Sequence, residues 1–368
     1  MDNIECVADN SSTEIFFSVD FKIPQIYNSE GIYVCDTNSY KLISNFFKEN
    51  TPKDNIIILP AGESSKNLDS ICKILDKAQE MGLARDSLFV GVGGGVITDM
   101  TAFAASIYMR GANLALVPTS LLAMVDASVG GKTGIDYGTY KNSVGSFYPA
   151  RSIYIGIKAL DTLPEYEYFC GFGEVVKMAM LYDQNLFELL KTEANSLKNQ
   201  AKPGQTKNYE LLQEIIKRCV QAKCDIVEKD LKESGLRMQL NLGHTFAHSL
   251  ETFLGLGTIS HGEAVAWGLS RAIKLGEVLG ITNKEYVKSV FDLLNSYGWS
   301  TTPIHPLAKK KAAELKLSDE NLAIELTKLM EKDKKKRNSV VKFIIQEDIC
   351  KNLIMEVPMS SVMQVLHE

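Results

Sequence analysis

The sequence predicts two domains, an α/β half built on a mainly parallel sheet and a helical half after it. Three observations carry that expectation. Short apolar runs alternate with amphipathic stretches as far as residue 155, the pattern of strands crossed over by helices. Three consecutive glycines, 93–95, stand where one such run gives way to a helical one. After Leu163-Pro164 the strand signal nearly vanishes, and apolar residues recur at three- and four-residue spacing to about Leu329. The domains are therefore set at 1–163 and 164–368, and 368 residues suffice for a core in each.

The first 25 residues alternate loosely around Ile15-Phe-Phe-Ser-Val-Asp-Phe21 and predict an edge strand or hairpin. Gly31 to Asp36 is an apolar run ending in an acid, as a buried parallel strand does, and Ile56 to Leu59 is a second. Asn67 to Met81 predicts a helix that Gly82 ends. Leu88 to Val92 is a third strand, 96–110 a helix, and Leu114 to Val117 and Ile153 to Ile155 further strands. A sheet of this kind binds ligands at the carboxyl ends of its strands, so the first half is expected to be a Rossmann-like nucleotide-binding domain. In the second half, residues 196–208 with Pro203-Gly204 predict a loop between helices, and 339–345 a late strand.

A formal net charge of −5 argues against a nucleic-acid binder driven by overall charge. The chain carries no signal-peptide pattern and no apolar run near 18 residues, so neither secretion nor membrane insertion is expected. Seven cysteines form no Cys-x-x-Cys pair and are expected to be reduced packing residues of a cytoplasmic protein.

Of the five histidines, His244, His248 and His261 fall within the stretch from Asn241 to His261. His244 and His248 share a helix face one turn apart. A continuous helix would put His261 roughly 25 Å from His244, at about 1.5 Å per residue. Gly255 and Gly257 break it, and Ser260-His-Gly-Glu263 predicts a capping box opening a second helix with His261 as its first residue. The positive end of that helix is expected to keep His261 neutral and able to bind metal. Glu174 and Lys177 stand among Val175, Val176, Met178, Ala179, Met180 and Leu181, so this pair looks buried although a surface ion pair is the ordinary reading of such spacing. Glu174, His244 and His261 make a His₂Glu set, the kind that leaves an open position on catalytic zinc. His244-Thr-Phe-Ala-His248 lacks the glutamate of a zinc-protease helix, which disfavours a protease.

Gly93 to Gly95 would let backbone amides approach a pyrophosphate, though the spacing is not the usual G-x-G-x-x-G. Asp36 at a strand end could accept from a ribose hydroxyl, and the loop holding Glu63 and Lys66 lies at a neighbouring strand end. Together they favour a nicotinamide dinucleotide. Asp126, Lys132, Lys141 and Asn142 surround a glycine pair as a phosphate monoester would require, and Lys223 and Arg237 could grip a carboxylate. The run 332–337 is basic and mostly solvated.

These residues resemble the 3-dehydroquinate synthase family over nearly the whole chain. The matching blocks are Gly62-Glu-Ser-Ser-Lys66, the triple glycine with Asp99, Arg110-Gly111, Pro118 to Thr133, Lys141-Asn142, Gly173-Glu-Val-Val-Lys177, Gly235 to His248, His261 to Ala266 and Asp333-Lys-Lys335. Gly173 stands where the family has alanine, Ser120 where it has a second threonine, Leu231 where it has an acid and Ala102 where it has glycine. The resemblance implies a dehydroquinate synthase-like fold with an all-α metal-binding domain. It implies an NAD- and zinc-dependent lyase of the shikimate pathway, with cobalt as a possible substitute for zinc. Such an enzyme converts 3-deoxy-D-arabino-heptulosonate 7-phosphate to 3-dehydroquinate and phosphate by transient oxidation, elimination, re-reduction, ring opening and aldol closure.

By the same resemblance Glu174, His244 and His261 fall on metal ligands. Asp36, Glu63, Lys66, Gly94, Gly95, Asp99, Thr119 and Ser120 fall on NAD contacts, which Lys132 and Lys141 share. Asp126, Lys132, Lys141, Asn142, Lys177, Lys223, Arg237, Asn241 and His248 fall on substrate contacts. Arg110 falls on a phosphate contact supplied from the partner subunit of a homodimer, and Lys334 or Lys335 closes the site. Lys132, Lys141 and Asn142 would hold the phosphate, and Lys223 and Arg237 the carboxylate. The rival readings are another sugar-phosphate cyclase, a metal-dependent polyol dehydrogenase and a silent NAD-binding protein.

Overall fold

A computed structural model describes residues 2–367 except 10, 27–29, 49–51, 139, 203, 256 and 335–340, and of residues 333 and 334 the backbone alone. Its first elements are β1 (Asp2–Ala8), β2 (Ser11–Ser18), β3 (Gly31–Asp36), α1 (Tyr40–Phe47), β4 (Ile56–Leu59), α2 (Leu68–Glu80), β5 (Leu88–Gly93) and α3 (Gly95–Ile107). Then come β6 (Asn113–Pro118), β7 (Lys132–Tyr137), β8 (Tyr140–Phe147), β9 (Ser152–Gly156), α4 (Glu165–Tyr182), α5 (Gln184–Thr192), α6 (Ala194–Ala201) and α7 (Tyr209–Val227). The chain ends with α8 (His244–Leu254), α9 (His261–Val278), α10 (Lys284–Ser296), α11 (Pro306–Glu314), α12 (Asp319–Lys334), β10 (Lys342–Asp348), β11 (Lys351–Glu356) and α13 (Met359–His367).

Contacts gather these into two compact units, Met1–Gly171 with Thr206–Arg237, and Phe172–Gln205 with Met238–Glu368. The sequence sets a boundary near Pro164, whereas the units divide inside α4 and the first also takes α7. That helix buries Leu212, Ile215, Ile216, Cys219 and Val220, and it packs on β1 and β2.

In the first unit seven strands lie in the order β1-β2-β9-β6-β5-β3-β4. β1 is antiparallel to β2, as the expected edge hairpin, and the other neighbours pair in parallel. Ile32 to Cys35 and Phe89 to Gly93 are buried throughout, because helices cover both faces of a parallel sheet. Tyr33, Cys35, Val90, Val92, Ala115 and Val117 pack with Ile43 and Ile56 as the core. β3 leads outward to β4 and β5 leads the other way to β6, so the strand order reverses between β3 and β5. In open α/β sheets the crevice at such a point takes the ligand. The carboxyl ends there are Asp36 and Gly93.

A separate antiparallel hairpin, β7–β8, pairs Lys132 with Phe147 at one end and Tyr137 with Tyr140 at the other. The sequence reading missed it, because a stretch rich in glycine and hydroxyl residues shows little apolar alternation.

The second unit is helical except for the β10–β11 hairpin, which supplies the expected late strand and a partner for it. Trp267 and Arg271 are fully buried on α9, and the Arg271 guanidinium donates to the carbonyls of Thr301 and Val365. Two glycine contacts bring this unit's helices together. A Cβ at Gly268 of α9 would lie 2.2 Å from the Gly243 carbonyl oxygen, and one at Gly173 of α4 would lie 2.3 Å from that of Gly262. Such backbone-to-backbone approach leaves no room for a methyl group. Among the described residues no helix is long and apolar enough to cross a membrane.

Gly268→Ala should therefore cost about 1–3 kcal/mol of stability, the usual penalty of overpacking. Urea unfolding of the full chain checks this, and an unchanged midpoint would contradict the close approach.

Candidate active site

In the second unit the predicted helix break and restart are present. α8 stops at Leu254 with Gly255 at φ 91° beyond it, and the Ser260 hydroxyl accepts from the Glu263 amide at 3.2 Å to open α9 on His261. The fold-back sets the His244 and His261 rings 5.4 Å apart between centroids, and His248 stands edge-on to His244 at 5.5 Å. Glu174, fully buried on α4, puts Oε1 3.5 Å from His244 Nε2 and 3.4 Å from His261 Nε2. One ligand atom from each of the three lies within 4.8 Å of the others.

The two imidazoles are oriented through their other nitrogens. His244 Nδ1 is 3.2 Å from the Leu242 carbonyl, and His261 Nδ1 is 3.4 Å from Glu251 Oε1. A carbonyl and a carboxylate only accept, so in each ring Nδ1 carries the hydrogen and Nε2 is the nitrogen turned to Glu174. Lys177 Nζ forms an ion pair with Glu174 Oε2. Neither oxygen of Glu174 has a well-directed hydrogen bond among the described residues. A buried carboxylate with lone pairs to give, beside two imidazole nitrogens, fits a divalent cation of zinc type.

Burial raises the Glu174 carboxyl, but Lys177 and the two histidines outweigh it and hold its pKa well below the usual carboxylate range. Burial and the Lys177 charge depress His244 to about 3. Burial also opposes charge on His261, yet Glu174 and Glu251, one at each ring nitrogen, raise it to about 10. Without a cation, the two carboxylates favour the charged ring, against the effect expected of the helix terminus. Two carboxylates at contact distance exceed the fraction of a charge a helix end supplies.

The first unit holds the nucleotide-type features. α3 begins at Gly95 with Gly94 at its N-cap and no side-chain cap, so the helix terminus keeps amides for an anion. A Cβ at Gly94 would meet the Ser120 hydroxyl at 3.4 Å and one at Gly95 would meet Ala127 at 3.3 Å, so Ser120 and the glycine turn are neighbours. The Thr119 amide donates to the Gly93 carbonyl at 2.9 Å. Asp36 spends Oδ1 on its own turn, accepting from the Asn38 and Ser39 amides and the Ser39 hydroxyl. Glu63 opens a short 3₁₀ turn and is exposed. Lys66 is buried and donates to Asp99 Oδ2 at 2.6 Å and Asn142 Oδ1 at 2.5 Å. Burial opposes the Lys66 charge, but Asp99 and Glu63 raise its pKa, while burial pushes the Asp99 carboxyl up against the pull of Lys66.

Lys223 and Arg237 converge on one turn. Lys223 Nζ donates to the carbonyl and to Oδ1 of Asp126, each at 2.6 Å, and Arg237 Nη1 donates to the carbonyls of Gly130 and Leu231. Burial lowers the Arg237 pKa, and its Nε has no hydrogen-bond partner among the described residues. Asp230 fixes the approach to Arg237 by accepting from the amides of Ser234, Gly235 and Arg237. Lys132 stands apart from Lys141 and Asn142 along the hairpin. Lys132 opens β7 against Glu233, while Lys141 and Asn142 sit near the far end of the hairpin. Five residue steps of β8 separate Asn142 from Phe147, the partner of Lys132, roughly 16 Å at about 3.3 Å per residue. The Asn142 amide donates instead to Asp136 Oδ1 at 2.8 Å with φ +49°. Arg110 is exposed, with φ +66°. Asn241 closes a short helical turn ahead of α8. Lys335 and the side chain of Lys334 lie outside the described residues.

Sequence reasoning passed over Asp136 and Glu251, and it noted Glu233 only as an acid retained beside Leu231. Glu251 alone had a signal, since it lies seven residues after His244 and so on the same helical face.

A family profile described as 3-dehydroquinate synthase N-terminal matches residues 56–170, and one described as 3-dehydroquinate synthase C-terminal matches 171–336. The chain is 43% identical over 298 residues to the 3-dehydroquinate synthase of Rippkaea orientalis, covering 81% of this chain and 76% of that one. It is 39% identical over 310 residues to that of Campylobacter fetus subsp. fetus, covering 82% of each. Among solved structures, 2-deoxy-scyllo-inosose synthase complexed with carbaglucose-6-phosphate, NAD⁺ and Co²⁺ superposes with a TM-score of 0.79, 22% identity and 99% of each chain covered. A 2-epi-5-epi-valiolone synthase from Streptomyces hygroscopicus subsp. jinggangensis with NAD⁺ and Zn²⁺ bound gives 0.75, at 24% identity over 92% of this chain and 89% of that one. At such identities these structures share the fold.

Replacing Lys66 by Met leaves Asp99 without its ammonium, and the loss should approach the ~3 kcal/mol lower end for broken buried pairs, since Asp99 keeps some solvent. The double change Lys66→Met with Asp99→Leu should recover most of it. Denaturant unfolding of the two variants decides.

Proposed function

This chain belongs to the 3-dehydroquinate synthase family, and from that premise we propose that it converts 3-deoxy-D-arabino-heptulosonate 7-phosphate to 3-dehydroquinate and inorganic phosphate, using NAD and a divalent cation. The observation that carries the reading is the His₂Glu set. Glu174, His244 and His261 offer three ligands to one cation, and the fourth position is left to substrate. Zinc is the first choice for this donor set and cobalt an alternative. The cation would supply Lewis acidity that makes a substrate hydroxyl easier to deprotonate. NAD would supply a hydride acceptor that is restored within each turnover, so the net reaction consumes none.

The chain's own groups do the rest. Gly94, Gly95, Thr119 and Ser120 present backbone amides and hydroxyls to the dinucleotide phosphates, and Asp36 serves the ribose from a strand end. Lys66 and Asp99 form a locked pair under that cradle, with Glu63 at its rim. Arg237 and Lys223 take the substrate carboxylate, Arg237 through an Nε that has no hydrogen-bond partner among the described residues. Asp126 holds Lys223 in place until substrate arrives. Lys132, Lys141 and Asn142 bind phosphate after the hairpin residues leave their present partners, and Arg110 adds a cation from a second subunit. Lys177 keeps a positive charge beside Glu174, and with His248 and Asn241 it orients the sugar hydroxyls. A homodimer is part of this reading. The apolar side chains Ile107, Met109, Tyr137, Tyr140 and Phe147 support it, all exposed at the end of α3 and on β7–β8.

Purified protein with NAD⁺ and zinc should release phosphate from the heptulosonate phosphate without accumulating NADH. An absence of release with both cofactors bound would sink the assignment, and NADH build-up with glycerol would point to a polyol dehydrogenase. His261→Ala should lose metal retention and turnover together. Arg237→Lys, which removes the planar fork, should raise KM for the carboxylated sugar by about tenfold or more. The same change should leave a heptulose phosphate lacking the carboxylate unaffected, and equal loss on both sugars would remove Arg237 from carboxylate recognition.

A further inference from the structure

The His₂Glu set carries a charge deficit that its three ligands do not resolve. Lys177 lies in an ion pair with Glu174 Oε2, so the ammonium offsets the one negative charge among the ligands. A divalent cation would then enter a site with no net negative charge of its own, in a region where Glu174 and Lys177 are both nearly inaccessible to water. One further carboxylate is at hand. Glu251 is 8% exposed on α8, and its Oε1 is 3.4 Å from His261 Nδ1.

The two histidines differ in this respect. His244 gives its Nδ1 hydrogen to the neutral carbonyl of Leu242, while His261 gives its own to a charged oxygen. His261 is also the more exposed ring, with 31% of its side chain accessible against 13% for His244. It opens its helix after a glycine-rich turn, so its rotamer has less packing to hold it. A charged acceptor at Nδ1 fixes the ring plane and makes Nε2 a stronger donor.

We propose that Glu251 is a positioning residue of the metal centre: it anchors His261 through Nδ1, turns Nε2 to the cation and supplies the negative charge that Lys177 removes. The proposal rests on the reading of Glu174, His244 and His261 as metal ligands, and it needs no contact between Glu251 and substrate.

The test compares wild-type protein with Glu251→Ala and Glu251→Gln at fixed pH. Zinc dissociation constants are taken by chelator competition, the absorption spectrum is recorded with Co²⁺, and melting temperatures are recorded without metal. Glu251→Ala should bind zinc about 10–100-fold more weakly, the usual cost of losing an outer partner of a ligand, with an altered cobalt spectrum. Glu251→Gln keeps an acceptor and loses the charge. It should fall between the two, with a cobalt spectrum close to wild type, and it carries the decision if the alanine variant does not fold. Zinc constants within twofold of wild type in the folded variants would overturn the proposal. So would a loss confined to the metal-free melting temperature, which is what a merely structural carboxylate would give. A wild-type protein that binds neither metal would instead overturn the His₂Glu reading itself.

Discussion

The second unit depends on helices that touch backbone to backbone. Gly173 precedes Glu174, Gly243 precedes His244 and Gly262 follows His261, and each sits at or against a contact where a Cβ would fall under 3 Å from a neighbouring main chain. Removing the Cβ atoms beside the ligands lets α4, α8 and α9 close, and Glu174 Oε1 then meets both Nε2 atoms.

The first unit solves a different problem. Its glycine turn leaves backbone amides at the start of α3, which the proposed function gives to a dinucleotide and which need no deprotonation and little ordering. Its cations are held on acids, Lys66 on Asp99, Lys223 on Asp126 and Lys132 on Glu233. These pairs are unequal. Lys132 is half exposed, so its pair is worth little and is easily exchanged for a phosphate. Lys66 is buried, and breaking its pair leaves a charge without water. Lys66 therefore reads as part of the scaffold, and Lys132 as a group free to change partner.

Much of this was legible beforehand where one physical signal dominated. Buried parallel strands announce themselves as short apolar runs, so the sequence places β3, β4, β5 and β6 within a residue or two. Ser260 and Glu263 marked the start of α9 because capping chemistry is local. The hairpin β7–β8 was not legible, since its register comes from pairing between segments with little apolar contrast. The spacing of Lys132 from Lys141 and Asn142 is hidden for the same reason: nine residues apart in sequence says nothing about which end of a ladder each occupies. α7 joined the first unit because its apolar face found β1 and β2, a choice that helical periodicity leaves open.

What the amino-acid sequence determined by itself is the inventory and its local geometry. It placed a strand-to-helix turn of three glycines, an ion pair on an apolar helix, two histidines one turn apart and a third at a new helix start. Each follows from interactions spanning a few residues, whose energies do not wait for the rest of the chain. Only the tertiary structure decided which atoms meet. Glu174 comes from 70 residues before His244, and its distance to either ring is set by packing across three helices. The pull on the His261 proton likewise comes from Glu174 and Glu251 at its two nitrogens, because contact electrostatics in a buried site outweigh the helix dipole.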